Sequence, residues 1–144
     1  MTARSLTVES VVPTGPDCIR VFLCDDIPEL RALMAFSLED DERLVVVGEA
    51  GDGHGCVRGV SETQADVVLL DLSMPDCDGL HAIPLLRQQA PACAIVVLSG
   101  LDAARMAPQV MAAGASAFLE KGESFSRIRD AVLAAAGAQS VRAA

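Results

Sequence analysis

The sequence contains no uninterrupted apolar run of the roughly 18 residues that a membrane-crossing helix needs. Its opening stretch, Met1 to Ser10, includes Arg4 but no apolar block of the kind that follows the charge in a signal peptide. A soluble, unexported, cytoplasmic protein without membrane contact is the expectation. Basic charge is also scarce, with 11 Lys plus Arg against 20 Asp plus Glu and a net charge of -9. Nucleic-acid binding rests largely on clustered basic groups that displace counterions, so this chain is not expected to bind DNA itself. Metal-thiolate chemistry is equally unsupported. The five cysteines, Cys18, Cys24, Cys56, Cys77 and Cys93, form no C-x-x-C pair, and His54 and His81 complete no ligand spacing. Reduced thiols are therefore expected, including Cys77, which has no resolving partner in sequence.

A chain of 144 residues with 51% hydrophobic content can bury one core but is short for two typical domains. Pro13, Gly15 and Pro16 interrupt any pattern in residues 1–17, which read as a flexible leader. The domain is expected over residues 18–136, followed by a frayed tail over 137–144. Within it, short β-branched or apolar runs occur at Ile19 to Cys24, Leu44 to Val47, Val67 to Leu70, Ala94 to Leu98 and, more weakly, Ala117 to Leu119. They are nearly continuous in Val, Ile and Leu, as strands covered on both faces are. Helical spacing separates them, as in Leu30, Leu33, Met34 and Leu38, and later in Phe125, Ile128, Val132 and Leu133. Pro84 and Pro108 fall inside two of these helical patterns, where a late start or a kink is expected. Gly51-Asp-Gly-His-Gly55 lacks the third glycine of a dinucleotide fingerprint and reads as a tight turn.

Five βα units with right-handed crossovers give an α/β fold, a three-layer open (βα)5 parallel sheet whose ligands bind at the carboxyl ends of the strands. The residues there are Asp25 and Asp26 after the first run, Asp71 after the third, Ser99 after the fourth and Lys121 soon after the fifth. Three crowded carboxylates repel one another unless a cation sits among them. Magnesium suits an oxygen-only donor set of this kind. With metal and ammonium charge nearby, an aspartate oxygen can act as nucleophile at phosphorus. Lys121 is the single lysine in the chain and supplies that ammonium, while the Ser99 hydroxyl can donate to a phosphoryl oxygen. Blander readings exist for each residue alone. The Asp25–Asp26 pair suits a helix start before Pro28, Asp71 can merely end a strand, Ser99 can cap a helix, and Lys121 can be an ordinary surface ammonium.

Four segments carry a resemblance: Cys24-Asp-Asp-Ile-Pro28, Val67-Val-Leu-Leu-Asp-Leu-Ser-Met-Pro-Asp-Cys-Asp-Gly79, Val97-Leu-Ser-Gly100 and Gly114-Ala-Ser-Ala-Phe-Leu-Glu-Lys121. Together they resemble the receiver domains of bacterial response regulators, most like those that precede a helix-turn-helix output domain, with motifs in order from about Ile19 to Ala136. The resemblance implies a flavodoxin-like, CheY-like fold and phosphorylation of Asp71 by a sensor histidine kinase or phosphotransfer protein. It implies Mg2+ held by Asp25, Asp26, Asp71 and the main-chain carbonyl of Ser73, with Ser99 and Lys121 on the phosphoryl group. Ser99 and Phe118 would form the switch, and the fourth helix, fifth strand and fifth helix would be read by a downstream protein or an attached output domain. A homodimer on phosphorylation is a further implication. Two positions depart from the common pattern, Gly122 where many receivers have proline and Phe118 where tyrosine is commoner. Two rival readings are an aspartate-nucleophile phosphatase, which usually carries a second Asp where Ser73 stands, and a receiver-like module that binds partners without phosphorylation.

Overall fold

The computed structural model describes residues 18–72, 79–100 and 103–143. The leader assigned to residues 1–17 lies outside them, as do Ser73 and Cys77. Strands and helices alternate: β1 (Ile19–Cys24), α1 (Pro28–Leu38), β2 (Leu44–Ala50), α2 (Gly53–Thr63), β3 (Val67–Asp71), α3 (Gly79–Gln89), β4 (Ala94–Ser99), α4 (Ala103–Ala113), β5 (Ala117–Glu120) and α5 (Phe125–Ala143). All five strands are parallel in one sheet of order β2-β1-β3-β4-β5.

The near-continuous apolar strands follow from burial on both faces. Phe22, Val68, Leu70, Ile95 and Val97 point into a cluster with Cys56, Val57 and Val60 of α2, Ile83 and Leu86 of α3 and Val110 of α4. Their neighbours Val21, Leu23, Val67, Leu69, Val96 and Leu98 enter a second cluster with Met34 and Leu38 of α1 and Ile128 and Val132 of α5. Successive side chains on a strand alternate faces, so both sets must be apolar when helices cover both.

Several boundaries differ from expectation. β2 extends past Val47 to Ala50, and within it Gly48 lies against the Phe22 ring, where a Cβ would come within 2.7 Å of Cε2. The β1–β2 register skips there, with Val21 opposite Val46 and Phe22 opposite Gly48. Leu33 does not join the core face of α1. It is 51% exposed, on the same outer face as Phe36 at 79%, while Met34 and Leu38 face the sheet. Neither proline delays its helix: Pro84 sits inside α3 and Pro108 inside α4, each six residues from the start counting inclusively, in the second turn of an 11-residue helix. α5 runs to Ala143, so residues 137–143, which were expected to fray, continue the helix, which suits their alanine content.

The reduced-thiol expectation for Cys24 and Cys56 is corrected. The two form a disulfide, with Cα atoms 5.9 Å apart, linking the end of β1 to the first turn of α2. Both side chains enter the same core cluster, a proximity that a separation of 32 residues conceals. Cys18 and Cys93 are not part of a disulfide.

Candidate functional site

Each chemically loaded residue sits where its strand stops. Asp71 is the last residue of β3 and 2% exposed, Ser99 the last of β4 and 4% exposed, and Asp25 follows β1 at 8% exposed. Asp26, next along, is exposed. Lys121 follows β5, and its backbone N–H donates to the Ser99 carbonyl at 3.0 Å, which extends the β4–β5 ladder and fixes where its side chain leaves the chain. Its ammonium lies 3.1 Å from Asp71 Oδ2 and 3.3 Å from Asp25 Oδ2, joining the ends of β1, β3 and β5.

The electrostatics explain that posture. Partial burial on its own would lower the Lys121 pKa, but the hydrogen bond and charge of Asp71 and the charge of Asp25 outweigh it, so the net shift is upward. Lys121 is thereby held as a cation. One ammonium does not neutralise three acids. Asp25, Asp26 and Asp71 each place a carboxylate oxygen within 4.8 Å of the others, leaving the cluster with a net negative charge. An oxygen-only donor set of that size fits a hard divalent ion, which is commonly bound by one or two carboxylates together with waters.

Local sequence shapes the β1 loop. Asp25 Oδ1 accepts from the Ile27 N–H at 2.8 Å, a tight side-chain turn that leads into α1, whose first position is Pro28. The Asp25 N–H donates to the Ala50 carbonyl at the end of β2. In the Gly51–Gly55 segment, the Asp52 side chain accepts from the Gly55 N–H at 2.7 Å and caps α2, in keeping with a turn.

The structure brings Asp25, Asp26, Asp71 and Lys121 together, with Ser99 on the adjacent strand end. Phe118 lies one strand further out, half-buried against the α2–α4 core cluster. The Ser73 carbonyl falls outside the described residues. No cis peptide bond occurs among the described residues, Gly122 included.

A strand-end aspartate, two acids and a lysine on the edge of a five-stranded parallel sheet place the chain among known proteins, and residues 21–133 match the response regulator receiver domain family. The chain belongs to that family. It is 34% identical over 125 residues to the transcriptional regulatory protein YxjL of Bacillus subtilis, covering 87% of this chain and 57% of YxjL. It is 36% identical over 116 residues to a protein-glutamate methylesterase/protein-glutamine glutaminase of Azospirillum brasilense, covering 79% of this chain and 29% of that protein. The receiver domain of the response regulator NarL from Mycobacterium tuberculosis superposes with a TM-score of 0.80 at 31% identity, over 85% of this chain and 98% of that one. The chain thus spans little more than half, or less, of these curated relatives. Among the described residues of this receiver domain, no helix is long and apolar enough to cross a membrane.

Two features at this edge were not assigned a role from the sequence. Arg31 of α1 donates from Nη1 to the Asp25 carbonyl at 2.5 Å, and nothing in its local sequence distinguishes it from a surface arginine. Gly79 opens α3 so close to β3 that a Cβ would lie 2.4 Å from the Asp71 carbonyl oxygen and 2.6 Å from Leu72 Cα. Its place at the end of the quoted Asp71 segment is the only hint in the sequence.

Proposed function

We propose that this chain is a signalling phosphoacceptor that receives a phosphoryl group on Asp71 and is not itself an enzyme. The observation that carries this reading is the buried Asp71 carboxylate, paired at 3.1 Å with Lys121 and crowded by Asp25 and Asp26. The donor is a phosphohistidine of a sensor histidine kinase or phosphotransfer protein. An Asp71 oxygen attacks phosphorus, the P–N bond breaks as the P–O bond forms, and the departing imidazole takes up a proton. Asp25, Asp26 and Asp71 would hold Mg2+, joined by the Ser73 carbonyl. When bound, the ion offsets the charge of the acids and of the transferring phosphoryl oxygens. Lys121 is placed to move from Asp71 to a phosphoryl oxygen, and the Ser99 hydroxyl to donate to another.

The transfer adds negative charge beside β4 and β5. Drawing Ser99 inward opens room for the Phe118 ring, and the exposed face of α4, β5 and α5 repacks. That face is read by a downstream protein or an output domain, possession of which YxjL's designation as a transcriptional regulatory protein favours, and a homodimer can form on it. The setting is cytoplasmic, where such kinases present their phosphohistidine.

The test is phosphorylation by a small-molecule phosphodonor with Mg2+, read by mass spectrometry. One phosphoryl group is expected on the wild-type chain and none on Asp71→Asn. Undiminished labelling of Asp71→Asn would overturn the assignment. A beryllofluoride-type mimic is expected to shift amide resonances of α4, β5 and α5 more than those of α1. Changes confined to the acidic site would refute the switch.

A further inference from the structure

The loop that carries Asp25 and Asp26 is tied from outside the site by one side chain. Arg31 lies in the first turns of α1, and its side chain is only 17% exposed. Its Nε donates to Glu49 Oε1 at 2.7 Å, and its Nη1 donates to the Asp25 carbonyl oxygen at 2.5 Å. Glu49 is the penultimate residue of β2, so one guanidinium joins α1, the end of β1 and the end of β2.

The planarity of the peptide unit gives this contact its consequence. The Asp25 carbonyl belongs to the peptide that joins Asp25 to Asp26, and holding its oxygen holds the plane from which the Asp26 Cα projects. The preceding peptide is held as well, because the Asp25 N–H donates to the Ala50 carbonyl at 3.1 Å. The Asp25 side chain is fixed through the Ile27 N–H. Asp26, the exposed member of the acidic cluster, therefore receives its direction from a peptide that Arg31 anchors. A guanidinium suits this task, since its planar fork donates to a carboxylate and a carbonyl at once, which a single ammonium does poorly.

We propose that Arg31 is a positioning residue for divalent-cation binding, clamping the Asp25–Asp26 peptide so that both carboxylates meet the ion without reorganisation. The proposal deepens the functional reading above and rests on the acidic cluster binding Mg2+. Its sign separates it from simple electrostatics. Arg31 carries a positive charge near a cation site, so on Coulombic grounds alone its removal would tighten Mg2+ binding. Loss of a clamp weakens it, and groups that orient metal ligands from behind typically contribute about 10-fold or more to affinity.

The experiment is calorimetric titration of the full chain with Mg2+, alongside thermal unfolding without the metal. Arg31→Met is expected to weaken Mg2+ binding about 10-fold. Arg31→Lys, which retains the charge but concentrates its donors on a single nitrogen, is expected to recover part of the loss. Glu49→Ala removes the second anchor of the guanidinium without touching the loop, and a several-fold loss is expected there too; it also serves as the decisive variant if Arg31→Met fails to fold. Unchanged or tighter Mg2+ binding in folded Arg31→Met, or unchanged binding in Glu49→Ala, overturns the proposal. Wild-type and Asp26→Asn chains that bind Mg2+ equally well would instead overturn the acidic-site reading, leaving the two failures distinguishable.

Discussion

At the amino-terminal edge of the sheet, Arg20 of β1 donates from Nε and Nη2 to the Thr63 carbonyl at 3.2 and 2.7 Å, and its own N–H donates to Asp66 Oδ2 at 2.9 Å. Arg87 reaches from α3 to the Cys93 carbonyl just before β4. At the carboxyl-terminal edge, charged groups face one another instead, with three acids around one ammonium. Arginine at the first edge satisfies backbone acceptors at the end of α2 and just before β4, which favours one folded state. The second edge retains unneutralised like charge, which opposes folding and suits a cation. The same strands thus carry a stabilising end and the end proposed above to be reactive.

The largest effect expected from a single substitution is at the reactive edge, where backbone rather than charge sets the limit. Gly79→Ala forces a Cβ into the Asp71 and Leu72 backbone and is expected to cost about 3 kcal/mol. Urea unfolding checks this, and a cost below about 1 kcal/mol would show that the β3–α3 junction relaxes freely. At the opposite edge, Arg20→Ala is expected to cost about 1.5 kcal/mol while phosphoryl labelling stays at the wild-type level. A loss of labelling in a folded Arg20→Ala protein would break the division between the edges.

Alkaline pH probes the stabilising edge through Cys93. Burial pushes this thiol up to about 12 from its ordinary value of 9.0. Its folded-state pKa is raised, so its contribution to stability is complete below 9.0 and is lost as pH rises toward 12. Between about pH 9 and 10 the slope is expected to remove about 1 kcal/mol, and Cys93→Ser, which does not titrate there, flattens it. The slope is to be read from unfolding free energies across that range.

Asp26→Asn at the reactive edge is expected to act in the opposite direction, raising stability by about 0.5 kcal/mol through relief of repulsion while weakening Mg2+ binding. A destabilised Asp26→Asn would show that the acids are already compensated. The smallest effect belongs to Asp41, beside the start of β2, where hydrogen bonds from Arg43 lower its pKa to about 2 from 3.8. Its contribution is present above 3.8 and lost as pH falls toward 2. Carboxyl titration by NMR, with and without Arg43→Ala, measures it.

Most of the fold and the positions of the charged residues were legible because buried strands and amphipathic helices leave periodic marks, and because each loaded residue lies within two positions of the end of an apolar run. Legibility failed where meaning depends on distance in space. The outward turn of Leu33, the passage of Gly48 beneath Phe22, the bridge between Cys24 and Cys56 and the reach of Arg31 to the Asp25 carbonyl leave no periodic trace. Pro84 and Pro108 do not mark late helix starts for a related reason: the packing of α3 and α4 on the sheet sustains the helix on both sides of each proline.

The order of strands and helices, the acidic run after β1, the aspartate ending β3 and the single lysine were determined by the sequence itself, since local propensity and hydrophobic period act over a few residues. Tertiary structure alone decided that Lys121 bridges Asp71 and Asp25, how closely Asp26 approaches the other two acids and that Arg31 anchors the peptide between Asp25 and Asp26. Those relations follow from the strand order β2-β1-β3-β4-β5, which brings residues almost a hundred positions apart within a few ångströms, where charge and hydrogen bonding become strong.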